Sequence, residues 1–153
     1  MISKLIITIL LTTLAVKNKQ QEKDMDITQL HIIIGWSGML AGAFSGALLG
    51  LYFYKQDWAG GYSSFRRRMM RLGHIAFFGI GFLNFMFAFS MQVLALPEFY
   101  EQIASTGFLL AMLTMPLCCF LSAWHGKFRH LFFIPVSAVT AGILPILAGG
   151  FSA

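Results

Sequence analysis

Residues 31–53 read HIIIGWSGMLAGAFSGALLGLYF. The stretch is mostly apolar with no Asp, Glu, Lys or Arg, and Gly38, Gly42, Gly46 and Gly50 recur in it at every fourth position. Residues four apart lie on one face of a helix. The periodicity therefore predicts a helix with a strip of bare backbone down one side, flanked by Gly35, Ala43 and Ala47. Lipid provides no hydrophobic force between helices, so close backbone approach drives their packing. The expectation is a glycine zipper on which neighbouring helices dock, serving packing rather than chemistry.

The rest of the chain agrees with a membrane setting. Of its 153 residues 58% are hydrophobic and only 11% are charged, against about 25% charged in an ordinary soluble domain. The formal net charge of +5 does not point to nucleic acid. The charges sit at the ends of apolar runs and form no basic face. Cys118 and Cys119 are adjacent within an apolar run and cannot build a disulfide framework.

Taken in order, residues 1–16 read as a signal peptide or a short anchor. Lys4 stands before an apolar run at residues 5–16, with Thr13, Leu14 and Ala15 as a small-x-small site. A run of that length covers only about 18 Å as a helix, short of a ~30 Å hydrocarbon core. Residues 17–29 are polar and balanced in charge, a linker or a helix lying at the surface. Four long apolar runs follow, placing helices at about 30–54, 73–96, 104–124 and 130–149. Each is near the ~20 residues needed to span a bilayer, and backbone in lipid must satisfy its own hydrogen bonds. Connections of roughly 18, 7 and 5 residues make sequential helices antiparallel neighbours. The expected fold is an all-α integral membrane protein. Residues 30–153 are expected to form an antiparallel four-helix transmembrane bundle.

Charge sets the orientation. Lys55, Arg66, Arg67, Arg68 and Arg71 follow the first apolar run, with Asp57 as the single acid. Lys127 and Arg129 follow the third, and Glu98 and Glu101 follow the second. The positive-inside rule then puts the first and third connections in the cytoplasm. The expectation is a multi-pass protein of a bacterial-type cytoplasmic membrane with both ends of the bundle outside. Tyr52, Tyr54, Trp58, Tyr62 and Trp124 make the inner aromatic belt, and Trp36 and Tyr100 mark the outer one.

Polar residues in the runs are the candidates for chemistry. His74, Gly81, Asn84, Ala88 and Gln92 share one stripe of the second helix. An amide at the position of Asn84 must face the bundle interior and find a partner. Gly107, Ala111, Thr114, Cys118, Ser122 and His125 form a similar stripe on the third. His74, His125 and His130 fall at the cytoplasmic ends of their helices and His31 at the outer side. Imidazoles from two facing helices are what a b-type haem needs as axial ligands. His74 and His125 are the first candidates, with His130 as the substitute, and Arg71 and Arg129 are placed to meet propionates. His31 is expected to be dispensable. Met112, Met115 and Cys118 offer soft ligands that suit copper(I), although methionine in an apolar helix usually fills a core.

The string Gly126-Lys127-Phe128-Arg129-His130-Leu131 resembles the Gly-x-Arg-His-Leu stretch of haem-bearing membrane anchors of succinate dehydrogenase. It has one extra residue and lacks the Trp-Asp that usually follows. The likeness covers six positions, implies haem, and assigns no family. No phosphate-binding glycine loop, HExxH motif or Ser–His–acid set occurs. With no acid placed inside the membrane, a proton-driven transporter is disfavoured. Three functions remain open. One is a small membrane subunit of an electron-transfer or respiratory complex binding haem b near the cytoplasmic face. Another is a structural or assembly subunit without cofactor. The third is a compact haem-dependent membrane enzyme. The expected partners are the lipid bilayer and other membrane subunits or further copies of the chain.

Overall fold

A computed structural model describes the backbone of residues 2–152 and the side chains of residues 12–19, 21–22 and 25–151. Its elements are α1 (Ile2–Tyr52), α2 (Phe65–Val93), α3 (Glu98–Trp124) and α4 (Phe133–Ser152). Short 3-10 turns lie at Trp58–Gly60 and Gly126–Phe132. No strand occurs among the described residues. Among the described residues, four stretches are long and apolar enough to cross a membrane: Met25–Tyr52, Phe65–Val93, Glu98–Trp124 and Gly126–Phe151.

Helix α1 is longer than the sequence pattern indicated. Its 51 residues run unbroken through 17–29, the stretch read as a linker or surface helix. That stretch has no glycine or proline and is rich in Lys and Gln, which are strong helix formers. Once a helix is nucleated, extension through such residues costs little. The side chains of residues 12–19 are exposed. Most of the apolar run at 5–16, read as a signal peptide or short anchor, has its side chains outside the described residues.

Helix α2 begins at Phe65 rather than near position 73. Ser64 caps it: its extended backbone ends the preceding turn, and its hydroxyl accepts from the Arg67 N–H at 3.2 Å. The same hydroxyl donates to the Ala59 carbonyl at 2.7 Å. Ala59, Gly60 and Gly61 all have positive φ, at 56°, 86° and 86°. The two glycines make this tight reversal possible, since left-handed backbone is costly for other residues. The early start moves Arg66, Arg67, Arg68 and Arg71 from a loop onto the first two turns of α2.

Helix α3 starts directly after Pro97, with Glu98 and Glu101 in its first turn, where carboxylates complement the helix dipole. Both α3 and α4 continue through an internal proline, Pro116 and Pro145. Pro135 falls in the first turn of α4, where an N–H has no intrahelical partner to lose.

Packing follows chain order: α1 lies on α2, α2 on α3 and α3 on α4. Among the described residues, two buried clusters hold the centre. Ile80, Ala111 and Ala138 are backed by Leu83, Met112, Met115 and Val139. Phe87, Ala104 and Phe108 are backed by Ile27, Leu83, Met91 and Ile146. Met112 and Met115 are therefore built into the core. Large apolar side chains such as Ile33, Leu40, Phe44, Leu48, Leu113, Ile143 and Leu147 remain exposed, a surface suited to lipid contact.

The glycine strip meets its neighbours unevenly. A Cβ at Gly38 would run into the Met112 methyl of α3. At Gly42 it would come within 2.6 Å of the Phe78 ring, and at Gly46 it would run into the His74 imidazole. At Gly50 nothing lies within 4 Å. The closest backbone approach of α1 is made elsewhere, by Gly35. A Cβ there would be 3.0 Å from the Gly81 carbonyl, and one at Gly81 would be 2.9 Å from that of Gly35. Helices α3 and α4 touch in the same manner at Gly107, where a Cβ would be 2.6 Å from the Gly142 nitrogen.

Candidate functional site: a buried polar junction

His31 of α1 is fully buried. Its Nδ1 lies 2.6 Å from Oδ1 of Asn84 on α2, and its Nε2 lies 2.9 Å from Oγ of Ser105 on α3. The Asn84 amide nitrogen donates to the Ile80 carbonyl at 2.8 Å, so its oxygen is the acceptor facing the imidazole. Nδ1 is then the protonated nitrogen of the neutral ring, and Nε2 accepts from the Ser105 hydroxyl. The ring edge rests on Phe87 at 4.5 Å between centroids. One imidazole thus joins three helices with every polar atom of the ring in use. Asn84 is fully buried and Ser105 is buried.

The surroundings explain why this site forms. Helix α1 is continuous here and presents His31 four residues before Gly35, on the face that approaches α2. The Gly35–Gly81 crossing brings the two backbones close enough for a short side chain such as Asn84 to reach the ring. One turn before Ser105 on α3 lies Glu101, which is 1% exposed. The reading that no acid sits in the membrane runs assigned this residue to a loop. Helix α3 starts six residues earlier than position 104, so Glu101 lies within a candidate span and turns inward.

The other histidines are placed differently. His74 lies about 14 Å along α2 from Phe65, so it is not at the end of its helix as the pattern implied. Its Nδ1 donates to the Gly42 carbonyl at 2.7 Å, an oxygen that also accepts from the Ser45 hydroxyl at 3.0 Å. The ring occupies the space left by Gly46 and meets Phe78 edge to face. His125 is the exposed C-cap of α3, its ring 6.4 Å from that of Phe128. His130 is exposed and accepts from the Arg129 Nε at 3.5 Å. Arg71 stacks over Tyr62 at 4.7 Å. Among the described residues no group of three or more His, Cys, Asp or Glu side chains is arranged to hold a metal ion. Cys118 and Cys119 are buried free thiols.

Arg67 makes a second buried polar feature at the far end of α1. It is 2% exposed, and its guanidinium lies over Phe53, Trp58 and Tyr62 at 4.8, 5.7 and 5.3 Å. It donates to the Phe53 carbonyl at 3.1 Å and the Gln56 carbonyl at 3.5 Å. These carbonyls follow the end of α1 and have no helical partner. Arg67 therefore closes the α1–α2 connection.

Depth along the helices does not single out His31, which lies apart from the other three histidines in the sequence pattern. Spacing held a usable signal: His31 precedes Gly35 by four and Gly38 by seven residues, so it belongs to the glycine face. Comparison with family models, curated proteins and solved structures finds no match for this chain.

Proposed function

We propose that the chain is an antiparallel four-span membrane bundle acting as a non-catalytic subunit. Its task is to hold helices in register and to associate with other membrane subunits or with copies of itself. The observation that carries this reading is the His31–Asn84–Ser105 junction. Its polar atoms are spent on joining α1, α2 and α3, and the ring is fully buried. An imidazole so occupied has no nitrogen left for a substrate. Contact order supports the antiparallel arrangement. Along α1, Gly35, Gly42 and Gly46 meet Gly81, Phe78 and His74, in falling order on α2.

Orientation is inferred from the basic connections, which belong in the cytoplasm of a bacterial-type membrane. A Ser63→Cys variant is expected to react with an impermeant thiol reagent only after permeabilisation. Labelling in intact cells would overturn that orientation. The subunit role is tested by extraction in mild detergent: the chain is expected to migrate with partner chains or as an oligomer, and migration as a lone monomer overturns the role.

One observation favours a second reading, an electron-transfer subunit with haem b. His74 donates through Nδ1 to a backbone carbonyl, leaving Nε2 as the bare nitrogen, the tautomer in which histidines ligate metals. His125 or His130 would supply the second ligand, with Arg71 and Arg129 for the propionates. An oxidised-minus-reduced spectrum of the haem-supplemented protein decides it. A Soret band lost in His74→Ala supports this reading, and a flat spectrum removes it.

A further inference from the structure

Where α3 ends and α2 begins, a groove of about 280 Å³ opens between Phe65 and the turn Gly126–Phe132. It is lined by Phe65, Gly126, Lys127, Arg129 and His130. Its composition is two-sided. Phe65 and the bare backbone of Gly126, where a Cβ would meet nothing within 4 Å, give an apolar, open floor. Lys127 and Arg129 give a cationic rim, and the exposed Arg66 stands next to Phe65. Residues 125–132 contain no acid, and Asp57 is the only one in residues 53–72. The positive charge of this end is thus poorly balanced from within its own connections. Trp124, Phe128 and Phe133 are exposed beside the groove and continue its apolar floor toward the surface of α3 and α4.

We propose that this groove holds the phosphate headgroup of an anionic phospholipid, with Lys127 and Arg129 as the cations that meet it. The inference rests on the membrane-spanning reading above. A free phosphate would satisfy the rim but has no use for the apolar floor. A phospholipid uses both, because its acyl chains run along the exposed apolar side chains below the headgroup. A basic residue near a bilayer surface attracts anionic lipid by about 1 kcal/mol. That is roughly fivefold in affinity per charge and about thirtyfold for the pair.

The test uses the full chain. Alkaline extraction of membranes comes first, and release of the chain would overturn the membrane reading and this one together. The retained protein is reconstituted in phosphatidylcholine nanodiscs and titrated with phosphatidylglycerol, bound lipid being counted by native mass spectrometry. Lys127→Gln with Arg129→Gln is expected to weaken phosphatidylglycerol binding about thirtyfold. Lys17→Gln with Lys19→Gln, which removes the same charge on the far side of the molecule, should leave it unchanged. Equal loss in both pairs, or loss in neither, overturns the proposal while leaving the membrane reading intact. Lys127→Arg with Arg129→Lys keeps the charge and should keep wild-type binding, which guards against a glutamine pair that fails to fold. Loss of binding in this swapped pair also overturns the proposal. In a parallel arm inorganic phosphate replaces the lipid. If it displaces phosphatidylglycerol at equal concentration, the groove is a free-anion site and the lipid assignment falls.

Discussion

The end of the molecule around His31 and the end around Arg67 handle polarity in opposite ways. At the first, polar groups face inward and the imidazole is matched donor to acceptor. His31, Asn84 and Ser105 are bonded in a chain across three helices. At the second, a cation is buried, but under three aromatic rings and against loose backbone carbonyls, while its basic neighbours Arg66 and Arg68 stay exposed. The difference reflects the cost of burial. A neutral donor–acceptor chain can be removed from water when each of its groups is paired. A guanidinium keeps its charge, so it is held where carbonyl oxygens and π faces remain available. The His31 end ties helices together, and the Arg67 end secures a turn while its exposed basic neighbours offer charge to the surroundings.

Variants can break or sharpen that contrast. The largest effect is expected for His31→Ala, which strands Asn84 Oδ1 and the Ser105 hydroxyl. The loss should be about 2–3 kcal/mol in thermal or denaturant unfolding in detergent. If His31→Ala unfolds no more easily than Arg129→Gln, the two ends do not differ as described. Arg67→Ala comes next, at about 1–2 kcal/mol, because two carbonyls and three ring contacts lose their partner. Limited proteolysis should show the loss as faster cutting within residues 53–64, with the rest of the chain protected. A double-mutant cycle of His31→Ala and Asn84→Ala should return a coupling near 1 kcal/mol. A coupling of zero would mean that the 2.6 Å contact contributes packing and no hydrogen bond.

The smallest effects concern the glycine strip. Gly46→Ala pushes a methyl into the His74 ring and should cost about 1 kcal/mol by displacing it from the Gly42 carbonyl. Gly50→Ala meets nothing within 4 Å. It should be neutral or up to about 1 kcal/mol stabilising, from helix propensity alone. A destabilised Gly50→Ala would show that a second chain covers the end of α1, which agrees with self-association.

The four apolar runs were legible because they are a matter of composition, and composition needs no knowledge of neighbours. The inward direction of Asn84 was legible for the same reason, since an amide among apolar side chains has one tolerable place. Where each helix begins was less so. The start of α2 at Phe65 depends on the Ser64 hydroxyl meeting Ala59 across a left-handed turn, a contact formed only when the turn closes. The inward position of Glu101 then follows from the start of α3 at Glu98 and the angle of that helix. The continuity of α1 through residues 17–29 could be read from their helix-forming composition, but charge made a linker the simpler reading.

By itself the sequence determined an all-helical chain with four stretches able to cross a membrane and a face of glycines on the first. Those properties are sums over local residues, and neighbours do not change them. Only the tertiary structure decided which glycines are used, because Gly38, Gly42 and Gly46 meet side chains of α2 and α3 while Gly50 meets none. Only it selected His31 from four histidines as the buried junction. A hydrogen bond across helices requires partners 53 and 74 residues away in sequence to arrive at one depth and one facing. That coincidence is set by the Gly35–Gly81 crossing, which no single helix encodes.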